Sequence, residues 1–436
     1  MTAVSPRRRR EIIDALRRGA VPQRGLDVMA VGLERFQGAL SDELDAVTDG
    51  GAVFKAVRGE YGAGKTFFAR WITETAKQRG FATAEVQISE TETPLHRLET
   101  IYRRITENLA TEATPASAFR EVIDEWLRVL QEDAISAGAD AADSNEVARS
   151  TDALLERRLA VVSRTAPAFA AALRGYHVAT AAGEVETADG LAAWLGGQPH
   201  VSASVRRVAG VRGDLDHFGA FGFLQGLLAI LRDSDYAGLV LVLDEVETLQ
   251  RVRSDVREKS LNALRQLLDE IDAGRFPGLY VLITGTPAFY DGTQGVQRLP
   301  PLAARIGVDF SGDPRWDNPR APQVRLPGFQ RQSLQELGER IRDIYVSGSS
   351  QADRITTLVT DGYLGGLADT VAGRLGGKVG IAPRLYLRKL IDILDKIEQF
   401  PDYVPPQAPD VAVLETELNA DERAAMGGLD AISIDV

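Results

Sequence analysis

Residues 59–66 have the types and the spacing from which proteins build a phosphate-binding loop. The segment is Gly-Glu-Tyr-Gly-Ala-Gly-Lys-Thr, which fits the pattern G-x-x-x-x-G-K-[ST] at every required position. Glycines let backbone N–H groups surround phosphate oxygens, because no Cβ atom is in the way. Lys65 would bind the β- and γ-phosphates, and the Thr66 hydroxyl would bind Mg²⁺. The predicted nucleotide-binding residues are Gly59, Glu60, Tyr61, Gly62, Ala63, Gly64, Lys65 and Thr66.

The residues around this loop predict the structural context that a phosphate loop needs. Ala52–Arg58 is predicted to be a strand, and Thr66–Arg79 a helix that ends before Gly80. The positive N-terminal end of that helix would face the same anion. Because lysine is rare in this chain, only about 0.006 chance matches to the motif are expected. The alternative is a glycine-rich surface turn that happens to contain a lysine.

A second acidic element follows the apolar run at residues 238–243, Gly-Leu-Val-Leu-Val-Leu. This run predicts a strand buried on both faces, and we expect it beside the loop-bearing strand. Asp244 would emerge at the carboxyl end of the strand, where parallel α/β sheets bind ligands, and would hold Mg²⁺. Glu245 would orient or deprotonate the water that attacks the γ-phosphate. The alternative is a solvated strand end, and Glu247 is expected to be a salt-bridging surface residue.

Further side chains are candidates for contact with the γ-phosphate. Thr284 ends the next apolar run and would reach the phosphate or the attacking water; a capped strand end is the alternative. Arg305 is predicted to be an arginine finger for a neighbouring subunit, with Arg298 as a second candidate, although either could be a surface salt-bridge partner. Arg384 begins a helix after Pro383 and would approach the phosphate from a lid, unless it only lies on the helix surface.

The composition is that of an ordinary globular protein, and it excludes several chemistries. The chain has 436 residues, 44% hydrophobic and 26% charged, and no uncharged apolar run long enough to cross a membrane. The lack of cysteine excludes disulfides, thiolate nucleophiles and cysteine-based zinc sites. No apolar run follows the basic N-terminus, so the predicted compartment is the cytoplasm. The net charge of −12 argues against strong autonomous DNA binding but not against a basic channel in an oligomer.

Strands that alternate with helices predict an α/β fold with a parallel sheet. Residues 51–330 would form a P-loop ATPase core with a helical insertion at about 94–230. Residues 1–50 are predicted to be an N-terminal helical segment, residues 331–400 a helical lid, and residues 401–436 an acidic tail. Val31–Leu33 precede the core and are expected to border adenine.

With these parts in place, the chain resembles AAA+ ATPases of the origin-recognition and initiator type, and more narrowly the ATP-binding proteins of BREX phage-defence systems. The resemblance is carried by residues 11–22, 59–66, 94–97, 243–247 and 382–388. Asp-Glu after the buried strand resembles the branch of P-loop enzymes that have an additional strand and a catalytic glutamate. The resemblance implies hydrolysis of ATP and a role in phage defence, with ATP-driven assembly on DNA or with a helicase partner.

Three functions are compatible with these features. The first is an ATPase that works as a homo-oligomer and loads or remodels a DNA-processing partner, such as a helicase. The second is a nucleotide-gated signalling switch, in which ATP holds one conformation and turnover resets it. The third is a P-loop kinase, which would need an acceptor site that the sequence does not identify. Dependence of turnover on protein concentration and on Arg305 would distinguish the first two.

Overall fold

The structure is a computed structural model that describes residues 4–374 and 383–406. Its strands are β1 (Ala52–Arg58), β2 (Ala82–Gln87), β3 (Leu239–Asp244), β4 (Leu279–Gly285) and β5 (Gln323–Arg325). The helices that precede β3 are α1 (Pro6–Arg17), α2 (Glu34–Thr48), α3 (Lys65–Gln78), α4 (Leu98–Glu107), α5 (Phe119–Ser136), α6 (Ser144–Thr165), α7 (Pro167–Ala181), α8 (Val185–Leu195), α9 (Ala203–Val208) and α10 (Gly219–Asp233). The helices that follow β3 are α11 (Ser254–Asp272), α12 (Pro287–Asp291), α13 (Pro300–Ile306), α14 (Arg331–Val346), α15 (Ala352–Leu358), α16 (Asp361–Arg374) and α17 (Pro383–Gln399).

The five strands form one parallel sheet in the order β2-β3-β4-β1-β5. In this register Ala52 lies opposite Leu279, and Leu239 also lies opposite Leu279 from the other side. The strands β3 and β4 are apolar runs that are buried along their whole length, as is typical of parallel sheets. The predicted α/β fold class is therefore confirmed, and the carboxyl ends of β1, β3 and β4 lie along one edge of the sheet.

One expectation about the sheet was wrong. The strand that ends in Asp244 is not beside the loop-bearing strand β1, because β4 lies between them. The sequence could not show this, since the run that forms β4 is as apolar as the run that forms β3, and apolarity does not specify which strands are neighbours. The additional strand that the resemblance implied is present in this position.

Alternate residues of the sheet face two separate layers of helices. Val240 and Tyr280 point to the layer formed by α2 and α3, where they pack with Leu44. Leu241 and Val281 point to the opposite layer, which contains α11 and the helices between β2 and β3. Both faces of the sheet are thus covered, so the strands contribute their ends, and not their faces, to any site.

Seven helices, α4–α10, lie between β2 and β3 and share a core with the sheet. The ring of Phe223 contacts the rings of Tyr102, Phe169 and Trp194 edge to face, with centroids 5.6, 5.2 and 5.4 Å apart. Among the described residues, no helix is long and apolar enough to cross a membrane.

The helices α14–α17 form a separate bundle, and α1 packs on it through Ile12 and Leu16. Arg9 donates a hydrogen bond of 2.6 Å to the carbonyl oxygen of Tyr345, and Arg17 donates one of 2.7 Å to Asp395. The first helix therefore belongs to the bundle, whereas α2 belongs to the sheet. The predicted division into segment, core, lid and tail stays a prediction, and residues 407–436 of the tail lie outside the described residues.

Candidate nucleotide-binding site

The phosphate-loop motif forms the turn between β1 and α3, and its glycines lie where a side chain would be strained. Gly62 and Gly64 have φ angles of 79° and 87°, in the left-handed region. A Cβ atom at Gly59 would lie 3.1 Å from the Cβ of Ala63 and 3.3 Å from the Cγ of Lys65. Because α3 begins at Lys65, its first amide groups have no partner within the helix. The turn therefore offers backbone donors to an anion.

Lys65 is the cation of this turn, and its side chain is only 8% exposed. The Nζ atom donates to the carbonyl oxygen of Gly59 at 3.0 Å and to that of Glu60 at 3.4 Å. It also lies 5.0 Å from the centre of the Tyr61 ring. Carbonyl oxygens of the loop therefore hold the ammonium. A phosphate oxygen bound by this loop would replace them as the partner of Lys65.

Asp244 connects the end of β3 to the end of β4 and to the first turn of α3. One carboxylate oxygen accepts a hydrogen bond of 3.0 Å from the Thr66 hydroxyl, and the other accepts one from the Thr284 hydroxyl. The backbone N–H of Glu245 donates to both Asp244 and Thr284, at 3.1 Å each. Thr284 is 0% exposed, so its hydroxyl holds Asp244 from behind and does not line the cavity.

Glu245 follows β3 in an unusual backbone conformation, with φ 61° and ψ 42°. A residue other than glycine in the left-handed region stores strain, and such residues cluster at functional sites. Its side-chain oxygen accepts a hydrogen bond of 2.9 Å from Nε2 of Gln87, the last residue of β2. The register of β2 and β3 places Gln87 opposite Asp244. The carboxylate of Glu245 is therefore directed by the neighbouring strand.

Glu247 is not the surface residue that the sequence suggested. It lies in the short 3-10 turn Val246–Gln250, which returns the chain to the interior, and it is 5% exposed. Its Oε1 atom is 3.7 Å from Nζ of Lys65. Burial raises the pKa of the Glu247 carboxyl, and the charge of Lys65 opposes this rise.

A cavity of about 420 Å³ lies in front of these residues, between the sheet and the helical bundle. Residues 61–67 of the phosphate loop form one wall, and Asp244, Glu245 and Glu247 lie beside them. The opposite wall is mostly apolar and comes from the connection between α1 and α2, from residues 326–329 and from the bundle. This size and this lining suit a small organic ligand that carries an anionic group. The apolar wall includes Val21, Met29, Val31, Leu33, Phe36, Phe329, Leu337 and Leu387.

The predicted arginines lie in different places relative to the cavity. Arg384 lines it from the start of α17, where one guanidinium nitrogen would be 3.0 Å from a Cβ atom at Gly19. Arg305 does not line it, and its guanidinium pairs with Asp269 of α11 at 2.5 Å and with Asp272 at 3.1 Å. Arg298 donates to Ser254 at 2.7 Å, also on α11. Within this one chain, only Arg384 of the three adjoins the cavity.

The donor set around Asp244 fits a magnesium ion. A carboxylate and the Thr66 hydroxyl, 3.0 Å apart, are the hard oxygen ligands that Mg²⁺ takes. In the described part of the chain, no group of three or more His, Cys, Asp or Glu side chains could hold a metal. Two protein oxygens suit Mg²⁺, because this ion normally takes its other ligands from water and from nucleotide phosphates.

The sequence did not indicate two of the polar groups near this site. Gln87 is the last residue of β2, and its polar type at a strand end was the available signal. Glu247 had no such signal. The 3-10 turn after β3 directs the chain into the interior and places Glu247 beside Lys65.

The chain matches a family model over residues 4–411, and that family is described as the BREX system ATP-binding protein BrxC/D. No curated protein matches the chain. Among solved structures it is similar to the ORC2 protein of Aeropyrum pernix, solved in ADPNP and ADP complexes, with 13% identity and a TM-score of 0.34. That alignment covers 83% of this chain and 67% of the other. The chain belongs to the BREX system ATP-binding BrxC/D family.

Proposed function

We propose that this protein binds ATP with Mg²⁺ in the cavity between the sheet and the helical bundle and hydrolyses it to ADP and phosphate. The observation that supports this proposal is the meeting of Lys65, Thr66, Asp244 and Glu245 at one cavity. Membership of a family of ATP-binding proteins supports the choice of ATP.

The loop would bind the triphosphate, with backbone amides and Lys65 on the phosphate oxygens. Thr66 and Asp244 would hold Mg²⁺, which neutralises charge on the β- and γ-phosphates when bound. The residues expected to contact adenine are on the apolar wall, where Val31–Leu33 lie. Binding is thus divided between a charged end and an apolar end of the same cavity.

Glu245 would accept a proton from the water that attacks the γ-phosphorus, while the bond to the ADP oxygen breaks. Its hydrogen bond from Gln87 and its N–H bonds to Asp244 and Thr284 support this role, because they fix its orientation. For Thr284 we propose a positioning role through Asp244, in place of direct contact with the phosphate. Arg384 would approach the phosphates from the bundle, which would then act as a lid.

In the BREX setting, we extend the proposal to a homo-oligomer that loads or remodels a DNA-processing partner, such as a helicase. Arg305 lies on α13 with its side chain 39% exposed. It would have to leave Asp269 and Asp272 to reach the nucleotide of a neighbouring subunit. The cytoplasm stays the predicted compartment.

Phosphate release from ATP in the presence of Mg²⁺ tests the proposed function. We expect the wild-type protein to release phosphate, and Lys65→Ala to release none above background while it keeps its fold. Equal rates for the two proteins would show that turnover does not use this loop. A nucleotide-gated switch would instead bind ATP tightly and release phosphate slowly at every protein concentration.

A further inference from the structure

Glu247 presents a buried carboxylate that the proposed hydrolysis does not use. Its side chain is 5% exposed and lies at the cavity wall. Neither carboxylate oxygen accepts a hydrogen bond from another of the described residues. Buried polar atoms without partners are rare in proteins, and each one calls for an explanation.

The partner that Glu247 faces is the ammonium of Lys65. The Oε1 and Nζ atoms are 3.7 Å apart, which is an ion pair without a hydrogen bond. Lys65 is itself only 8% exposed, so water screens this attraction weakly. Glu247 shares the ammonium with the carbonyl oxygens of Gly59 and Glu60. The ammonium that we propose to bind phosphate therefore already has three oxygen partners within the protein.

Two more carboxylates, those of Asp244 and Glu245, lie in the same cavity wall, and both act electrostatically on Glu247. The cavity is thus lined by three carboxylates and two cations, Lys65 and Arg384, which leaves an excess of one negative charge. A triphosphate that enters this cradle must take Lys65 away from Glu247 and must also approach the Glu247 carboxylate. Both effects oppose binding, and both come from Glu247.

We propose that Glu247 is a positioning residue that restrains the Lys65 ammonium in the nucleotide-free loop, so that the nucleotide phosphates must displace it and bind less tightly because of it. This inference rests on the proposed function, because it assumes that Lys65 binds nucleotide phosphates. It assigns to Glu247 the control of nucleotide affinity and of release, and no part in the chemical step.

Removal of the Glu247 charge strengthens ATP binding, whereas damage to the fold near the site would weaken it. For a buried pair at this distance we expect Glu247→Gln to bind ATP about tenfold more tightly. The gain depends on the phosphates that Lys65 contacts, so it is largest for ATP, smaller for ADP and absent for adenosine.

The test is equilibrium binding of ATP, ADP and adenosine to full-length wild type, Glu247→Gln and Lys65→Ala, with Mg²⁺ present. Glu258→Gln is the matched control, since Glu258 is exposed on α11 and outside the cavity. We also expect the KM for ATP of Glu247→Gln to fall.

An ATP affinity of Glu247→Gln equal to or weaker than that of wild type overturns the inference, as does an equal gain for adenosine. If Lys65→Ala binds ATP as wild type does, the proposed function itself fails, which is a different result. Should Glu247→Gln not fold, Glu247→Asp keeps the charge but withdraws it from Lys65 by one methylene. That variant must still bind ATP more tightly than wild type.

Discussion

Replacement of Glu245 by glutamine tests the proposed hydrolytic step with little disturbance of the fold. Glutamine has the shape of glutamate, and the bonds that fix this residue come largely from its backbone N–H, which donates to Asp244 and Thr284. The side-chain bond from Gln87 can persist, because the glutamine carbonyl oxygen can accept it. The substitution therefore removes proton acceptance and leaves the position unchanged.

The expected size of the effect follows from the role. A positioned general base contributes roughly 10²–10⁴ in rate. At about 1.4 kcal/mol for each factor of ten, this is about 3–5 kcal/mol of activation free energy. Lys65, Thr66 and Asp244 are untouched, so the Kd for ATP should stay within about threefold of wild type.

The assay combines phosphate release with equilibrium ATP binding on the same Glu245→Gln preparation. Glu258→Gln, an exposed change of the same type on α11, should behave as wild type in both. Turnover of ATP by Glu245→Gln at the wild-type rate would show that the Glu245 carboxylate is not the base. Loss of ATP binding would refute the proposed role in another way, since Glu245 would then be part of the binding site.

Three further predictions concern residues around the site. Thr284→Val removes the buried hydroxyl that donates a hydrogen bond to Asp244. It should lower the free energy of unfolding by about 1–3 kcal/mol, as thermal unfolding would show, and should reduce phosphate release more than ATP binding. Arg305→Ala removes an exposed ion pair that contributes about 1 kcal/mol or less to stability, so the melting temperature should not change. Lost ATP turnover would then support Arg305 as an arginine finger, and unchanged turnover would exclude that role. Burial raises the pKa of the Glu247 carboxyl above its unfolded-state value. Protonation of this carboxyl therefore stabilises the fold, and that contribution is lost as pH rises through the raised folded-state pKa. Glu247→Gln, which stays neutral, should therefore melt above wild type at pH 8, with a smaller difference at pH 5, and an equal difference at both would contradict this sign.

The sequence predicted the strands well, for a physical reason. A strand buried on both faces needs an uninterrupted apolar run, which β3 has, and its bounds lie within one residue of the predicted ones. The bounds of β1 are the predicted ones. The phosphate loop was predictable because its glycines are required by backbone geometry, as the φ angles of Gly62 and Gly64 show. These features depend on local sequence alone.

The remaining features depend on contacts between residues that are far apart in the chain. Composition, periodicity and motifs do not predict such contacts. In the sheet β4 lies between β1 and β3, and the sequence did not predict this order. Glu247 looked like a surface residue until the 3-10 turn brought it under Lys65. The packing of α1 on the bundle likewise separated it from α2, its neighbour in the chain.

The central claim is that the loop at residues 59–66 binds ATP through Lys65. Equilibrium binding of ATP to wild type and Lys65→Ala tests it most directly, with Lys259→Ala, an exposed lysine of α11, as the matched control. We expect Lys65→Ala to remain folded and to bind ATP roughly 10- to 100-fold more weakly, whereas Lys259→Ala should bind ATP as wild type does. Equal ATP affinity for wild type and folded Lys65→Ala would contradict it.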